Sequence, residues 1–140
     1  MHTLQSTRLS WSKRLVLAVA AIASLLGVSL VVPPAADAAV YSSCTMSRCA
    51  DAREANSIWK SKGYPSSRGW YNWPDGRCNF AGGQFYNREG QLPSGHYYLE
   101  FDVYPRSCGA SRDAYRIVVD RTTGVVYFSP DHYSNFYRIS

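Results

Sequence analysis

The sequence predicts an α+β domain in which one N-terminal helix packs on a twisted antiparallel β-sheet and disulfide bonds staple the chain. Three observations support this class. One stretch places its apolar residues at helical spacing, several later stretches alternate apolar and polar residues as strands do, and four cysteines follow an apolar leader. A chain of 140 residues has room for one small domain with a single modest core.

Residues 1–38 have the composition of a secretory signal peptide. Arg8, Lys13 and Arg14 precede an apolar run over residues 15–32, and small residues follow up to Ala38. A transmembrane anchor is the alternative, but Ala and Ser dilute the run and no basic stop-transfer cluster follows it. We therefore expect a secreted, extracellular domain of residues 39–140 that has no membrane contact after the signal is removed.

The cysteines all lie after this leader: Cys44, Cys49, Cys78 and Cys108. An even number of cysteines in a small secreted domain predicts disulfides, here two, and the three possible pairings stay open. A zinc site is the competing interpretation. It is disfavoured because there is no Cys-x-x-Cys pair and only two histidines follow the leader. We expect no metal and no cofactor.

The helix is predicted over residues 50–62, with Asp51 in its first turn and Gly63 where it stops. Its apolar positions are three or four residues apart: Ala52, Ala55, Ile58 and Trp59. Residues 63–83 are rich in Gly, Pro, Ser and Asn and are predicted to form an extended loop. We expect Trp70, Trp73 and Cys78 to pin that loop to the domain.

The sheet is predicted from the remaining segments. Residues 96–104 alternate, with Leu99, Phe101 and Val103 on one face and Glu100 on the other, polar face. Residues 114–120 and 124–128 are predicted to pair around the turn at residues 121–124, and a last strand should run to Ile139.

The charge balance permits a polyanionic partner. The whole chain has a net charge of +5, and without the leader the charge is about +3. The chain has eleven tyrosines, four tryptophans and five phenylalanines, whose aromatic faces could stack on single-stranded bases, although many of them will lie in the core. Charge and composition alone do not demonstrate binding.

Four residues downstream of the leader have the chemistry needed to cut RNA without a metal: Glu100, Arg112, Arg116 and His132. A carboxylate near two guanidinium groups stays ionised and can accept the proton of the 2′-hydroxyl. A histidine titrating near neutrality can protonate the leaving oxygen, and arginines can grip the crowded phosphorane. Each residue taken singly is more often a solvated or salt-bridged surface group.

Residues 85–90, Phe-Tyr-Asn-Arg-Glu-Gly, suggest a guanine-binding loop. Guanine presents two adjacent donors, N1–H and N2–H₂, to which the Glu89 carboxylate is complementary, and an O6 acceptor for backbone N–H groups. Asn87 suits a left-handed turn and Gly90 relaxes the exit. A plain β-turn is the alternative for the motif alone.

The order of these motifs, from the loop through Tyr98-Leu99-Glu100, Arg112 and Arg116-Ile117 to Asp131-His132-Tyr133, resembles that of the barnase-type bacterial ribonucleases and, more distantly, of the fungal guanyl-specific ribonucleases. The resemblance covers roughly residues 51–140. It implies that Glu100 is the base, His132 the acid, and Arg112 and Arg116 the phosphate ligands. It also implies guanine contacts, mostly through the main chain, at Phe85, Tyr86, Asn87, Arg88, Glu89 and Tyr133.

The chain departs from the family pattern in two places, and the role of one further residue, His96, stays open. Residues 81–84 stand where fungal members have a Tyr-x-His motif, which favours the bacterial mechanism with two catalytic residues. The catalytic-side lysine of barnase-type enzymes has only Arg48 as a weak counterpart. His96 shares the strand face of Glu100 and could touch substrate, but we expect it to be a solvent-exposed residue at the strand start.

The resulting hypothesis is a secreted, metal-independent endoribonuclease that cuts single-stranded RNA after guanosine through a 2′,3′-cyclic phosphate and acts as a monomer. The alternatives are a non-catalytic basic module that binds RNA or an extracellular partner, and a ribonuclease toxin held by an inhibitor protein. By analogy with the barnase type, such an inhibitor would be acidic.

Overall fold

The computed structural model describes residues 39–140, so the predicted signal peptide lies outside the described residues. They form one helix and one seven-stranded sheet, in the order β1-β7-β6-β5-β4-β3-β2. The elements are β1 Val40–Tyr41, α1 Arg48–Ser61, β2 Gly69–Asn72, β3 Cys78–Phe85, β4 Tyr98–Asp102, β5 Arg116–Asp120, β6 Val126–Ser129 and β7 Phe136–Arg138.

The predicted α+β class is confirmed. The sheet is mixed rather than purely antiparallel, because β1 pairs with β7 in parallel while every other pair is antiparallel. A strand of two residues has no period that a sequence pattern could reveal, so β1 depends on its tertiary partner.

The helix begins two residues before its predicted start and ends where Gly63, at φ 76°, makes left-handed backbone accessible. The side chain of Trp59 is fully buried among the aromatic rings of the core. Its Nε1 donates a hydrogen bond to the carbonyl oxygen of Asp102 at 2.9 Å. This bond connects the last turn of α1 to the end of β4.

The prediction of an extended loop over residues 63–83 is wrong. That segment contains β2 and most of β3, which pair with each other from Gly69↔Ala81 to Asn72↔Cys78. Composition was misleading here because glycines and asparagines disfavour strands in general, whereas pairing and burial on both faces decide this one. The other predicted strands exist with slightly shorter bounds.

The sheet has an apolar cluster on each face. Leu99, Phe101 and Val103 point toward α1, as predicted from their alternation. The opposite face, predicted to be polar, carries a second cluster made of Leu92, Tyr98, Val118, Tyr127 and Phe136. The chain therefore covers both faces, and a polar residue such as Glu100 stands between apolar neighbours on the second face.

Both predicted disulfides are present, as Cys44–Cys49 and Cys78–Cys108. The second bridge joins the start of β3 to the segment after β4, where Cys78 and Arg106 also exchange two backbone hydrogen bonds of 2.8 Å. The long connection between β4 and β5 is thereby held against the sheet. No helix within residues 39–140 has both the length and the apolar character needed to cross a bilayer.

Candidate active site

Glu100 occupies the middle of β4 on the sheet face away from α1, opposite Gly83 on one side and Val118 on the other. It is half-buried, and this burial raises the pKa of its carboxyl group above the ordinary value. A hydrogen bond from Tyr133 Oη to Oε2, 2.6 Å long, opposes that rise. So do the positive charges of Arg112, Arg116 and Arg68, in decreasing order of effect.

A β-bulge makes room for this carboxylate. Between Ala81↔Phe101 and Gly83↔Glu100 the pairing of β3 with β4 shifts, so Gly82 is an extra residue without a partner. A Cβ atom on Gly82 would lie 2.6 Å from Cγ and 2.8 Å from Cδ of Glu100. Only glycine leaves space for the Glu100 side chain, a requirement that the sequence analysis missed although a Gly-Gly pair within a strand is a signal for a bulge.

The two predicted arginines lie together around a fully buried carboxylate, that of Asp102. Arg112 donates from Nε and Nη2 to the two oxygens of Asp102 at 2.9 and 2.6 Å. Arg116 Nη1 lies 3.3 Å from the same carboxylate and 3.5 Å from Asp113. The bidentate pairing fixes the plane of the Arg112 guanidinium group. Arg116 is buried and is held through Nη1, which also donates to Tyr115 O at 2.9 Å, so both cations are in place before any ligand arrives.

His132 and Tyr133 lie in the turn between β6 and β7, and both have positive φ, 53° and 73°. Non-glycine residues rarely adopt this conformation, and it costs free energy that surrounding contacts must offset. The backbone N–H groups of His132 and Tyr133 donate to Ala114 O and Ser129 Oγ at 2.9 and 2.8 Å. The turn is also braced from within, because Asp131 accepts three hydrogen bonds from Ser129 and Asn135.

This turn places the predicted histidine beside a tyrosine that contacts the predicted glutamate. The His132 side chain is exposed, and its ring centroid lies 4.8 Å from that of Tyr133. Burial, followed by the nearby Glu100 carboxylate, raises the pKa of Tyr133, so its hydroxyl stays protonated and donates to Glu100. Glu100, Tyr133 and His132 therefore form one contiguous group.

The loop predicted to bind guanine follows β3 directly and reaches the same group. Phe85, the last residue of β3, packs against Tyr133 with ring centroids 4.9 Å apart. Asn87 has φ 52°, as predicted for a left-handed turn, and its side chain donates to Leu92 O at 2.8 Å and accepts from Leu92 N at 3.1 Å. Gly90, at φ 68°, provides the relaxed exit.

A cleft of about 170 Å³ separates this loop from Glu100. It is lined by Gln84, Phe85, Tyr86, Asn87, Arg88, Glu89 and Glu100. Tyr86 and Glu89 are exposed, and the guanidinium carbon of Arg88 lies 5.4 Å from the centre of the Tyr86 ring. The structure thus gathers the predicted base-binding loop and the predicted general base around one opening.

Two residues that the sequence analysis left open lie elsewhere. Arg48 donates to Tyr104 Oη at 3.0 Å and stacks at 4.3 Å over Tyr115, and both tyrosines pack against the core on the helix side of the sheet. His96 was expected to be a solvent-exposed residue at the strand start, which is wrong. Its Nδ1 lies 2.7 Å from Oδ2 of the buried Asp120, a carboxylate that needs a partner in that environment.

Two further residues, Arg68 and Phe80, lie beside the site although no sequence motif predicted them. Arg68 Nη1 donates to Gly82 O at 3.1 Å, and its guanidinium carbon lies 4.9 Å from the centre of the Phe80 ring. Arg112 stacks over the same ring at 4.0 Å. Arg68 stands in the segment predicted as a loop, and nothing in the local sequence indicates its position beside the arginine cluster.

Replacing Tyr133 by Phe is expected to raise the pKa of Glu100 further, because the variant lacks the hydroxyl donor that stabilises the ionised carboxylate. A ¹³C NMR titration of the glutamate carboxyl carbons, with Glu100→Gln to identify the resonance, measures the shift. Tyr97→Phe, at an exposed tyrosine, is the matched control and should leave the titration unchanged. An unchanged or lower Glu100 pKa in Tyr133→Phe would contradict the role given to the hydroxyl.

Gly82→Ala is expected to reduce the free energy of unfolding by about 1 to 3 kcal/mol, because the new methyl group overlaps the Glu100 side chain. On a Glu100→Ala background the same change should cost at least about 1 kcal/mol less, since the overlapping atoms are gone. Urea denaturation of the four proteins of this cycle measures the coupling. Equal costs on both backgrounds would show that the glycine is not required by Glu100.

The residues of this site belong to a stretch with a known family. A family model described as ribonuclease matches residues 34–140, which include both apolar clusters, both disulfides and every site residue named above. A search of curated proteins finds no match. Because the matched stretch spans more than half of the chain, the protein belongs to the ribonuclease family.

Proposed function

We propose that this ribonuclease is a secreted, metal-independent endonuclease of the barnase-type bacterial branch that cleaves single-stranded RNA after guanosine. The observation that carries the proposal is the shared cleft: Glu100 and the loop of residues 85–89 line the same cleft, which has a volume of about 170 Å³. A nucleoside whose base lies on that loop would therefore bring its ribose toward the Glu100 carboxylate.

In the first step Glu100 accepts the proton of the 2′-hydroxyl while the 2′-oxygen attacks the adjacent phosphorus. The P–O2′ bond forms, the P–O5′ bond breaks, and His132 donates a proton to the departing 5′-oxygen. The product is a 2′,3′-cyclic phosphate. In the second step the roles reverse: His132 takes a proton from water and the water oxygen bonds to phosphorus. The P–O2′ bond breaks, and Glu100 returns its proton to the departing 2′-oxygen, which leaves a 3′-phosphate.

The raised pKa of Glu100 suits this double role. A carboxyl group whose pKa lies closer to neutrality is a stronger base when ionised and a competent acid once protonated. The hydrogen bond from Tyr133 opposes this rise in the pKa and so favours the ionised carboxylate that the first step needs. Burial, which raises the pKa of Glu100, and the tyrosine, which lowers it, thus act in opposite directions on the same carboxyl group.

Arg112 and Arg116 would stabilise the negative charge that builds on the phosphorane oxygens. Their anchoring to Asp102 means that little reorganisation is needed when that charge appears, which is how fixed dipoles and charges lower a barrier. The two guanidinium groups supply cationic charge of the kind that a divalent ion provides in other nucleases, and this supports the proposal of a metal-independent reaction.

Guanine preference is proposed to come from the loop. The exposed Glu89 carboxylate would accept from N1–H and N2–H₂ of guanine, and backbone N–H groups of the loop would donate to O6. Adenine presents an acceptor at N1, which would leave the carboxylate facing a lone pair. Phe85 and Tyr133, whose rings lie together, would flank the base.

Secretion and control by a partner extend the proposal. Two disulfides in a domain of this size are typical of an oxidising compartment, which agrees with the predicted signal peptide over residues 1–38. The arginines near Glu100, namely Arg68, Arg112 and Arg116, would suit an acidic inhibitor protein, with the enzyme itself a monomer.

Glu100→Ala and His132→Ala are each expected to lower the turnover of RNA about a hundredfold or more, because each variant lacks one of the two proton-transfer groups. Initial rates on a mixed RNA in excess chelator measure the effect, and thermal unfolding confirms that each variant is folded. Glu54→Ala, at an exposed glutamate of α1, is the matched control and should retain full turnover. Near-normal cleavage by folded Glu100→Ala would overturn the proposed base, and an inactive wild type would favour a binding module.

Glu89→Ala is expected to reduce the preference for guanosine over adenosine about a hundredfold, because the variant lacks the carboxylate that reads the base edge. Arg112→Gln should instead slow both substrates by similar factors, since a phosphorane is common to every dinucleotide. The values of kcat/KM on GpC and ApC separate the two effects. Retention of the full guanosine preference by Glu89→Ala would place base recognition outside this carboxylate.

A further inference from the structure

A third guanidinium group lies beside the arginine cluster and has no role in the proposed cleavage steps. Arg68 precedes β2 in a segment that packs directly on the bulge of β3: a Cβ on Gly83 would lie 3.6 Å from Cβ of Arg68 and 3.6 Å from Ser66 O. One nitrogen of its guanidinium, Nη1, donates to Gly82 O. The guanidinium groups of Arg68 and Arg112 both stack on the Phe80 ring.

Arg68 differs from Arg112 and Arg116 in the pairing of its charge. Arg112 and Arg116 each contact the Asp102 carboxylate, whereas no carboxylate within residues 39–140 lies at salt-bridge distance from Arg68. The residue is exposed to solvent, yet the carbonyl and the aromatic ring restrict the position of its guanidinium. A cation that is positioned and uncompensated is suited to bind an anionic ligand.

The strand pairing indicates where Arg68 would lie along an RNA bound as proposed. Phe85, at the entrance to the guanine loop, lies opposite Tyr98, and Gly83 lies opposite Glu100. Phe80, which supports Arg68, comes earlier in β3 and so lies on the far side of Glu100 from the loop. An RNA with its guanosine on the loop and its ribose at Glu100 would continue toward Phe80 with the nucleotides on the 3′ side of the cut.

We propose that Arg68 binds the phosphate on the 3′ side of the leaving nucleoside, one phosphate beyond the bond that is cut. This inference rests on the proposed function, because it takes the guanine loop and Glu100 as the anchors of the RNA. It makes Arg68 a determinant of substrate length: a longer RNA gains a contact that a dinucleotide lacks.

Three substrates and two variants test the proposal. GpC has only the scissile phosphate, GpCp adds a phosphate on the 3′ side, and pGpC adds one on the 5′ side. For the wild type we expect kcat/KM to be about tenfold higher on GpCp than on GpC. Arg68→Ala should abolish this gain, so that kcat/KM on GpCp falls to the value on GpC, and Arg68→Lys should retain part of it. Because the charge of Arg68 also lowers the pKa of Glu100, any effect through that carboxyl group changes both substrates by the same factor and leaves their ratio unchanged.

Arg121→Ala is the matched control. Arg121 is likewise exposed and stacks on an aromatic ring, that of Tyr64 at 5.1 Å, but Tyr64 packs against the core on the helix side of the sheet. The control changes the net charge by the same amount, so a general electrostatic effect on RNA binding would appear in both variants. We expect Arg121→Ala to keep the full gain on GpCp.

Each other outcome overturns a defined part of the proposal. If Arg68→Ala slows GpC as much as GpCp, Arg68 acts on the scissile phosphate or through Glu100 and the inference is wrong. If the variant loses a gain on pGpC instead, the RNA runs in the opposite direction. If the wild type cleaves GpC but shows no gain on GpCp, the protein does not bind the phosphate on the 3′ side of the leaving nucleoside and the inference is wrong. Absence of any cleavage of GpC by the wild type would refute the proposed function itself.

Discussion

The buried carboxylate of Asp102 is the group on which the rest of the structure depends. A charge with no exposure to water is tolerated in a protein only if it is paired and hydrogen-bonded, and Arg112 and Arg116 supply that pairing. The backbone carbonyl of the same residue accepts hydrogen bonds from Trp59 on the helix and from Asn79 on β3. One residue at the end of β4 therefore joins the helix, the sheet and the arginine cluster.

This arrangement links the fold to the chemistry. The arginines cannot leave Asp102 without leaving its buried charge unpaired, so the fold fixes the position of both guanidinium groups. The proposed stabilisation of a phosphorane depends on this fixed position. Arg68 is held differently, by a carbonyl and an aromatic ring. The arginine cluster beside Glu100 therefore has two kinds of cation, one paired with a buried carboxylate and the other uncompensated and open to solvent.

The site also costs the protein stability. Because burial raises the folded-state pKa of Glu100, the folded protein holds that proton more tightly than the unfolded chain does. Protonation of Glu100 therefore stabilises the folded protein at acidic pH, and this stabilisation is lost as the pH rises through the folded-state pKa. The positive φ angles of His132 and Tyr133 add backbone strain in the same place. The aromatic core around Trp59 and the two disulfides offset these costs away from the cleft.

The sequence by itself determined the class of the fold and the set of residues that we propose for the chemistry. Periodicity was sufficient for α1 and β4 because burial on one face imposes a period of 3.6 or 2 on the residue types. The motif order was sufficient to name Glu100, Arg112, Arg116 and His132, and the structure brings them to one face of the sheet.

Only the tertiary structure decided the features that depend on contacts between distant segments. The strands β2 and β3 form in a segment of unfavourable composition because pairing and burial outweigh local propensity. The bulge at Gly82 exists because Glu100, eighteen positions later, needs the space of the missing side chain. Arg68 joins the cluster through Phe80 in the same way. A sequence pattern records neighbours along the chain, and these partners become neighbours only when the sheet has formed.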